Sequence, residues 1–314
     1  MKHVSARAWA AFFIVCTVWG TTYLAIAIAI ETIPPLMLTS IRFLVAGVLM
    51  LGFAALRREA IPRDPKTLGS LALIGFLMVG VGNLAVVWAE QWVPSGLAAL
   101  FVATAPFWMA VIESVRPHGE RVNARTVVGM LAGFVGVGLL VTPGGTGGEW
   151  NAMFVIGAIA MQVGCVAWQL GSVHGKYNIR HVPLMTSAAL QMLFGGLIVG
   201  AVGIALGEHA KLAFTPRTFG ALVYLTIFGS IIAYSAYVYV LAHMKTTHSS
   251  LYAYVNPVVA MILGWLILDE PLTVLSWIAM GVILGGVALV QSSAWGKREQ
   301  TTVPDADPVA APEA

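Results

Sequence analysis

The sequence predicts an all-α polytopic membrane protein with ten transmembrane helices in two inverted five-helix repeats. Three observations predict this fold. The 314 residues are 59% hydrophobic and only 10% charged, whereas a soluble domain carries about 25% charged residues. The apolar residues fall into ten stretches, most of them near the ~20 residues that a helix needs to cross the hydrocarbon core. The second half of the chain also repeats landmarks of the first.

The ten apolar stretches follow one another with short polar connections, and each is interpreted as one transmembrane helix. Backbone groups in lipid must be paired within the segment, and nothing alternates with the two-residue period of a barrel strand. The first stretch is longer than the apolar core of a signal peptide, so we expect it to be retained. The predicted helices are 8–29, 35–56, 68–89, 96–115, 126–142, 152–173, 184–206, 219–242, 250–268 and 272–293.

The internal repeat has an offset of about 150 residues. Cys16–Trp19 returns as Cys165–Trp168, and Pro106 returns as Pro257. Each copy holds an odd number of spans, so the second copy must lie upside down relative to the first. Two inverted halves are typical of secondary transporters, because a site between them can open to either side of the membrane.

The repeat divides the chain into five parts. We expect a cytoplasmic N-terminus at 1–7, a first five-helix repeat at 8–142 and a periplasmic connecting loop at 143–151. A second repeat follows at 152–293, and a polar tail rich in Pro and Ala at 294–314 is predicted to be a disordered cytoplasmic segment.

The basic residues predict that both termini are cytoplasmic, in the inner membrane of a bacterial cell. Of the 17 Lys and Arg residues, two would lie outside, Lys211 and Arg217, and Arg42 lies within a span. An excess of Lys and Arg marks the cytoplasmic side. The net charge of +3 follows this topology and gives no indication of nucleic-acid binding. The remaining fourteen lie inside: Lys2, Arg7, Arg57, Arg58, Arg63, Lys66, Arg116, Arg121, Arg125, Lys176, Arg180, Lys245, Lys297 and Arg298.

Several short segments, in this order and spacing, resemble one family of transporters. They are Trp19–Tyr23, Pro34-Pro35 with Ile41–Phe43, Pro94–Ala99 with Ala105-Pro106, Tyr254–Val259 and Asp269–Leu272. Over residues 8–293 the chain resembles the EamA family of the drug/metabolite transporter superfamily, and within it the drug/metabolite exporters. The resemblance implies ten helices in two repeats with a substrate cavity between the halves. The expected direction of transport, export, rests on this resemblance alone.

Polar and aromatic residues at membrane depth are the candidates for the wall of that cavity. Trp19 and Tyr23 share one face of their helix, because they are four residues apart, and so do Tyr252 and Asn256. Hydrogen bonding between helices is the competing explanation. Aromatic faces and amides would suit a moderately polar organic compound, such as an amino acid or an aromatic metabolite. The predicted cavity residues are Trp19, Tyr23, Asn83, Trp168, Gln169, Tyr234, Tyr237, Tyr252 and Asn256.

Arg42 is the one basic residue inside a span, and Glu90 lies near the end of the next helix. Arg42 follows Pro35 by seven residues, which places it roughly 10 Å down the helix. A charge at that depth needs a partner or a watery cavity. We favour a structural role, in which Arg42 pairs with Glu90 or binds backbone carbonyls, over binding of a substrate carboxylate.

Four further residues are assigned structural or gating roles. Glu120 and Glu270 occupy equivalent positions at opposite faces of the membrane, where a carboxylate can cap a helix or stabilise a gate. Pro106 and Pro257 each remove a hydrogen bond from a helix and permit a kink. We expect this pair to act as hinges, with relief of packing as the alternative.

The sequence contains no nucleotide-binding or metal-binding motif, so no cofactor or metal is expected. A nucleophile–base pair at membrane depth is also missing, which argues against an intramembrane enzyme. We therefore expect a secondary transporter that exports small organic metabolites, amino-acid-like compounds or drugs, with an uptake permease or an exchanger as the alternative. Its partners would be the substrate, the lipid bilayer and a proton or counter-substrate, without nucleic acid, in a monomer or homodimer. Since no carboxylate lies at mid-membrane, proton coupling would use Glu90, Glu113, a His or water.

Overall fold

The computed structural model describes residues 6–116, 123–140, 142, 152–179, 181–243 and 252–296. The regular structure in these ranges consists of helices, and they form ten spans in chain order. The spans are α1 (Ala6–Ala29), α2 (Pro35–Leu56), α3 (Pro65–Ala89), α4 (Ser95–Ser114), α5 (Ala124–Leu140), α6 (Ala152–Asn178), α7 (Leu184–Ala205), α8 (Pro216–Tyr224, continued by Leu225–Ile232 and Ala233–His243), α9 (Tyr252–Leu268) and α10 (Val274–Gly296).

The predicted fold class is confirmed, because every predicted span is a helix. Seven of the helices are long and apolar enough to cross a membrane, and α5, α9 and α10 contain shorter apolar helices. Two helices begin three residues before the predicted position, since capping residues start them earlier. Asp64 accepts a hydrogen bond from the amide of Thr67 at 2.7 Å, and this contact holds the pKa of the Asp64 carboxyl below its ordinary value. Thr215 and Thr218 form a reciprocal capping box at the start of α8.

Contacts made by helices of the first repeat have counterparts among the equivalent helices of the second repeat. Helix α2 packs along α7, and α5 packs along α10. Helix α1 packs on α8 and α9, and its counterpart α6 packs on α3 and α4. The contacts of α3 with α7 are matched by those of α8 with α2. These pairs of neighbours are therefore found again after the two halves are exchanged, which is the arrangement of a duplicated five-helix unit.

Close approach between the repeats depends on glycine. A Cβ atom built on Gly75 of α3 would lie 2.3 Å from the carbonyl oxygen of Gln191 on α7. A Cβ atom on Gly129 of α5 would lie 2.6 Å from the carbonyl oxygen of Gly286 on α10. Any larger residue would push these helices apart, since packing between membrane helices depends on such backbone contact.

Helices α3 and α8 each contain a wide, π-helical turn. The turns span Phe76–Asn83 and Leu225–Ile232, which are equivalent positions in the two repeats. A π-helical turn adds a residue to the turn and leaves backbone groups without their usual partners. In α8 the carbonyl of Gly229 accepts a hydrogen bond from the indole nitrogen of Trp19 on α1, at 3.3 Å. The turn of α8 thus brings a backbone carbonyl to the interface with α1 of the other repeat.

The two symmetry-related prolines have different effects on their helices. Helix α4 breaks at Ala103 and Thr104, just before Pro106, whereas α9 continues through Pro257. Gln162 of α6 fills the break: its side-chain nitrogen donates to the carbonyl of Phe101 at 3.2 Å, and its oxygen accepts from the hydroxyl of Thr104 at 2.9 Å. A break supported in this way is well formed, so α4 consists of two separately packed halves.

Candidate functional site

A cavity lies where the two repeats meet, bounded by α1, α2, α3, α4, α6 and α9. In this conformation the cavity offers about 90 Å³ to water-sized molecules, which is less than the ~300–1,000 Å³ of common small-molecule pockets. Six of the nine predicted cavity residues form part of its wall: Trp19, Tyr23, Asn83, Trp168, Tyr252 and Asn256.

Four rings form an aromatic cluster at this interface: Trp19, Trp168, Tyr237 and Tyr252. Trp19 and Trp168 are equivalent residues of the two repeats, and their rings meet edge to face with centroids 5.7 Å apart. Tyr252 approaches Trp19 at 5.4 Å and Tyr237 approaches it at 4.9 Å. Edge-to-face and tilted contacts of this kind are favourable between rings. The cluster therefore joins side chains from both repeats into one packed unit beside the cavity.

Gln169, Tyr234 and Tyr237 are buried but do not form part of the cavity wall. The hydroxyl of Tyr234 donates to the side-chain oxygen of Gln191 at 2.7 Å, and that of Tyr237 accepts from the indole nitrogen of Trp168 at 3.3 Å. These hydrogen bonds connect α8 to α7 and to α6, which is the interhelical role given above as the alternative to substrate contact. The two tyrosines follow the wide turn of α8, and each residue added to a turn rotates the following side chains by about 100°.

Arg42 lies on the cavity wall and is not paired with Glu90. Its Nε donates to the hydroxyl of Ser230 at 2.7 Å, and its guanidinium carbon lies 4.8 Å from the ring centre of Phe43. The ion pairs found among the described residues are Arg116 with Glu113 and Arg217 with Glu31, so the predicted pair of Arg42 with Glu90 is not formed. The reason is the wide turn of α8, which supplies Ser230 as the partner.

Two polar atoms of the cavity-lining residues have no hydrogen-bond partner. They are Nη1 of Arg42 and the side-chain oxygen of Asn83, both buried. A buried polar group without a partner is costly, so such atoms are candidates for binding a ligand. Asn256 differs, because its amide nitrogen can donate to the carbonyls of Cys16 at 2.9 Å and Tyr252 at 3.3 Å once its amide is oriented to satisfy both. Asn256 therefore joins α9 to α1.

Three glutamates cap helices across the molecule. Glu270 accepts from the amides of Ser95 at 2.7 Å and Gly96 at 3.0 Å, at the start of α4. We call this contact the Glu270 latch, and the membrane face on which it lies the Glu270 face. Negative charge at a helix N-terminus is stabilised by the unpaired amides and the helix dipole. The capping role assigned to Glu270 thus has a concrete geometry, whereas Glu120 lies outside the described residues.

The other two capping glutamates escaped the sequence analysis. On the Glu270 face, Glu208 accepts from the amide of Leu36 at 2.9 Å, at the start of α2. On the opposite face, Glu59 accepts from the amide and hydroxyl of Thr186 at 3.1 and 2.9 Å, near the start of α7. The sequence does contain a signal for this pair, because Glu59 and Glu208 are separated by 149 residues, the same offset as Trp19 and Trp168. Together they fasten α2 to the second repeat and α7 to the first, one on each face.

A helical fold in which two equivalent five-helix repeats enclose a shared cavity is typical of a class of membrane transporters. The EamA-like transporter family matches residues 7–142 and 155–292, which is most of the chain in two successive copies. The chain belongs to the EamA-like transporter family, as its motifs predicted, and it is a membrane transporter of small molecules.

Relatives of the chain carry transporter names. The "Uncharacterized inner membrane transporter YedA" of Escherichia coli strain K12 is 38% identical over 284 residues, which is 89% of each chain. The "Uncharacterized transporter YoaV" of Bacillus subtilis strain 168 is 22% identical over 276 residues, 88% of this chain and 91% of its own. One crystal structure matches with a TM-score of 0.68 at 21% identity, over 94% of this chain and 99% of the other, and shows the likeness of fold.

Proposed function

We propose that the chain is a secondary transporter that exports amino-acid-like or aromatic organic compounds across the bacterial inner membrane by alternating access. The observation that carries the proposal is the cavity, in which an aromatic wall lies beside two polar atoms without partners. Nη1 of Arg42 is a charged donor and the side-chain oxygen of Asn83 is an acceptor. A substrate with an anionic oxygen, a donor and a flat apolar part would satisfy all three.

The chemistry of the wall supports this substrate class. Arg42 presents a donor that suits a carboxylate, because guanidinium–carboxylate hydrogen bonds are short and strong. Trp19, Trp168 and Tyr252 present ring surfaces that pack against an aromatic group and attract an ammonium group. The proposal thus moves Arg42 from the structural role favoured by its position in the sequence to contact with the substrate. Its bond to Ser230 then orients the guanidinium.

The contacts of α4 support alternating access. The Glu270 latch holds the first half of α4 against the connection between α9 and α10. Gly96 lies so close to α9 that a Cβ atom would be 2.9 Å from the Cα atom of Met261. The break before Pro106 separates this half from the next. We propose that opening breaks the latch and swings the first half of α4, with Pro106 and Pro257 as the hinges.

The orientation and direction complete the proposal. The charge distribution supports cytoplasmic termini, which makes the Glu270 face periplasmic. The name of the YedA relative supports the inner membrane, and the resemblance to drug/metabolite exporters supports export. We propose a functional unit of one chain or a homodimer, because the cavity is built from the two repeats of a single chain.

Counterflow in proteoliposomes tests the proposal. Vesicles loaded with unlabelled L-phenylalanine should accumulate labelled L-phenylalanine, and external 3-phenylpropanoate should compete better than phenethylamine, which lacks the carboxylate. Arg42→Lys should weaken competition by 3-phenylpropanoate about tenfold to hundredfold, because loss of a hydrogen bond to a charged group costs ~1.5–3 kcal/mol. Arg217→Lys is the matched control, since Arg217 is an exposed arginine paired with Glu31. Absence of counterflow and of competition for all three compounds would sink the proposed substrate class.

A further inference from the structure

Glu90 is a buried carboxyl group that no hydrogen bond satisfies. It is the C-cap residue that follows α3, it is 7% exposed, and neither of its side-chain oxygens has a hydrogen-bond partner. The preceding turn, with Val86 and Val87, packs in an apolar cluster that includes Ile33 and Leu38. Burying an ionised carboxylate without donors is expensive, so these surroundings favour the neutral acid.

Three titratable or charged side chains act on Glu90 from the elements around it. They are Tyr23 of α1, Arg42 of α2 and Glu270 of the connection between α9 and α10. The positive charge of Arg42 favours the ionised carboxylate and the negative charge of Glu270 opposes it. Arg42 forms no ion pair with Glu90 in the described part of the chain, and Glu270 is bonded to the amides of Ser95 and Gly96. The charge state of Glu90 therefore depends on two groups whose positions relative to it are not fixed by a bond.

Those same neighbours connect Glu90 with both the cavity and the latch. Tyr23 and Arg42 lie on the cavity wall. Glu270 accepts a hydrogen bond from the amide of Ser95, the first residue of α4, which lies five residues after Glu90. A movement of the latch thus changes the negative charge near Glu90, and a charged ligand in the cavity changes the field from the other side.

We propose that Glu90 is the proton-binding site that couples transport to the proton gradient. This inference rests on the proposed function. With the latch closed, the carboxyl holds a proton; when the latch opens, Glu270 moves away, water enters, and the proton exchanges with the phase on the Glu270 face. A cationic group that enters the cavity beside Tyr23 favours the ionised form, so it displaces one proton toward the opposite phase. The cycle exchanges one bound proton for one substrate cation and needs no other reactant.

Infrared titration of the full-length protein in detergent, without any substrate, tests whether Glu90 holds the proton. The wild type should show the C=O stretch of a protonated, buried carboxyl at neutral pH, and this band should be lost in Glu90→Gln. Glu113→Gln is the matched control, because Glu113 is paired with Arg116 at 3.8 Å and should not contribute the band. If Glu90→Gln fails to accumulate, Glu90→Asp keeps the acid and should shift the band. A band unchanged in these variants would overturn the proposal.

A second measurement tests the coupling of the proton to the latch. Glu270→Gln should move the pH midpoint of the band to lower pH, because it removes the negative charge that opposes ionisation. An unmoved midpoint would make Glu90 a fixed neutral acid and overturn the proposal. In weakly buffered solution, phenethylamine should release a proton from wild type and Glu113→Gln but not from Glu90→Gln. If the wild type binds none of the test compounds, only the proposed substrate class fails, since the infrared titration decides the role of Glu90 without them.

Discussion

The substitution Glu270→Gln should weaken the Glu270 latch, because it replaces one carboxylate oxygen with an NH₂ group. The carboxylate accepts from Ser95 at 2.7 Å and from Gly96 at 3.0 Å, and an amide has only one oxygen to offer. The variant loses at least one hydrogen bond to a charged group, which is worth ~1.5–3 kcal/mol. Taking ~2 kcal/mol, the ratio of open to closed latch rises roughly 30-fold.

Native Cys165 reports this change without an engineered label. The chain has two cysteines, and Cys165 lies on the cavity wall. In a Cys16→Ala background, a membrane-impermeant thiol reagent on the Glu270 face reacts in proportion to the open fraction while that fraction is small. Glu270→Gln should therefore speed the labelling of Cys165 roughly 30-fold, if the latch contributes ~2 kcal/mol.

Glu208→Gln is the control for the latch experiment. Glu208 lies on the same face and caps α2 through the amides of Leu36 at 2.9 Å and Met37 at 3.3 Å. A single oxygen of Glu208, Oε2, accepts both bonds, and the helix that it caps does not carry the latch, so labelling of Cys165 should stay at the wild-type rate. An unchanged rate in Glu270→Gln, or an equal rise in both variants, would refute the reasoning.

Three further outcomes follow from contacts that do not involve the cavity. Gly75→Ala should lower the yield of folded protein in a fluorescence size-exclusion assay, since its Cβ would lie 2.3 Å from a backbone oxygen, whereas Gly69→Ala should not, because nothing lies within 4 Å of its Cβ. Glu59→Ala and Glu208→Ala should each cost ~1–2 kcal/mol in chemical unfolding, and the double variant should cost the sum, because the two caps lie on opposite faces; a clearly non-additive sum would contradict their independence. The cap at Asp64 has a lowered pKa and stabilises the ionised form, so the difference in melting temperature between wild type and Asp64→Asn should disappear as the pH falls through that pKa; a difference that persists at low pH would argue against this cap.

Hydropathy alone was enough to predict where the helices lie. A span needs about 20 apolar residues whatever its neighbours are, so α2 and α7 begin within a residue of the predicted positions. The repeat was equally visible, because Trp19 and Trp168 stand at matching positions. That these two rings touch could not be read from the sequence, since contact depends on how each helix is rotated against the others.

The rotation of each helix about its own axis decides which of the candidate residues line the cavity. Tyr234 and Tyr237 follow the wide turn of α8, and their hydroxyls bond to Gln191 of α7 and Trp168 of α6. The same turn gives Arg42 its partner Ser230 in place of Glu90. A hydropathy profile contains no signal for a π-helical turn, and the glycines Gly80 and Gly229 inside the two turns are the nearest hint.

The meeting of Trp19 with Trp168 has a consequence for the direction of transport. The two rings are equivalent members of the repeats and touch each other, so both halves of the chain contribute to one aromatic surface at the cavity. Binding to this surface alone supplies no free energy that favours one direction of transport. By detailed balance, a carrier cannot move solute uphill on its own. Uphill flow would therefore need the free energy of a second species, whereas flow down the solute's own gradient would need none.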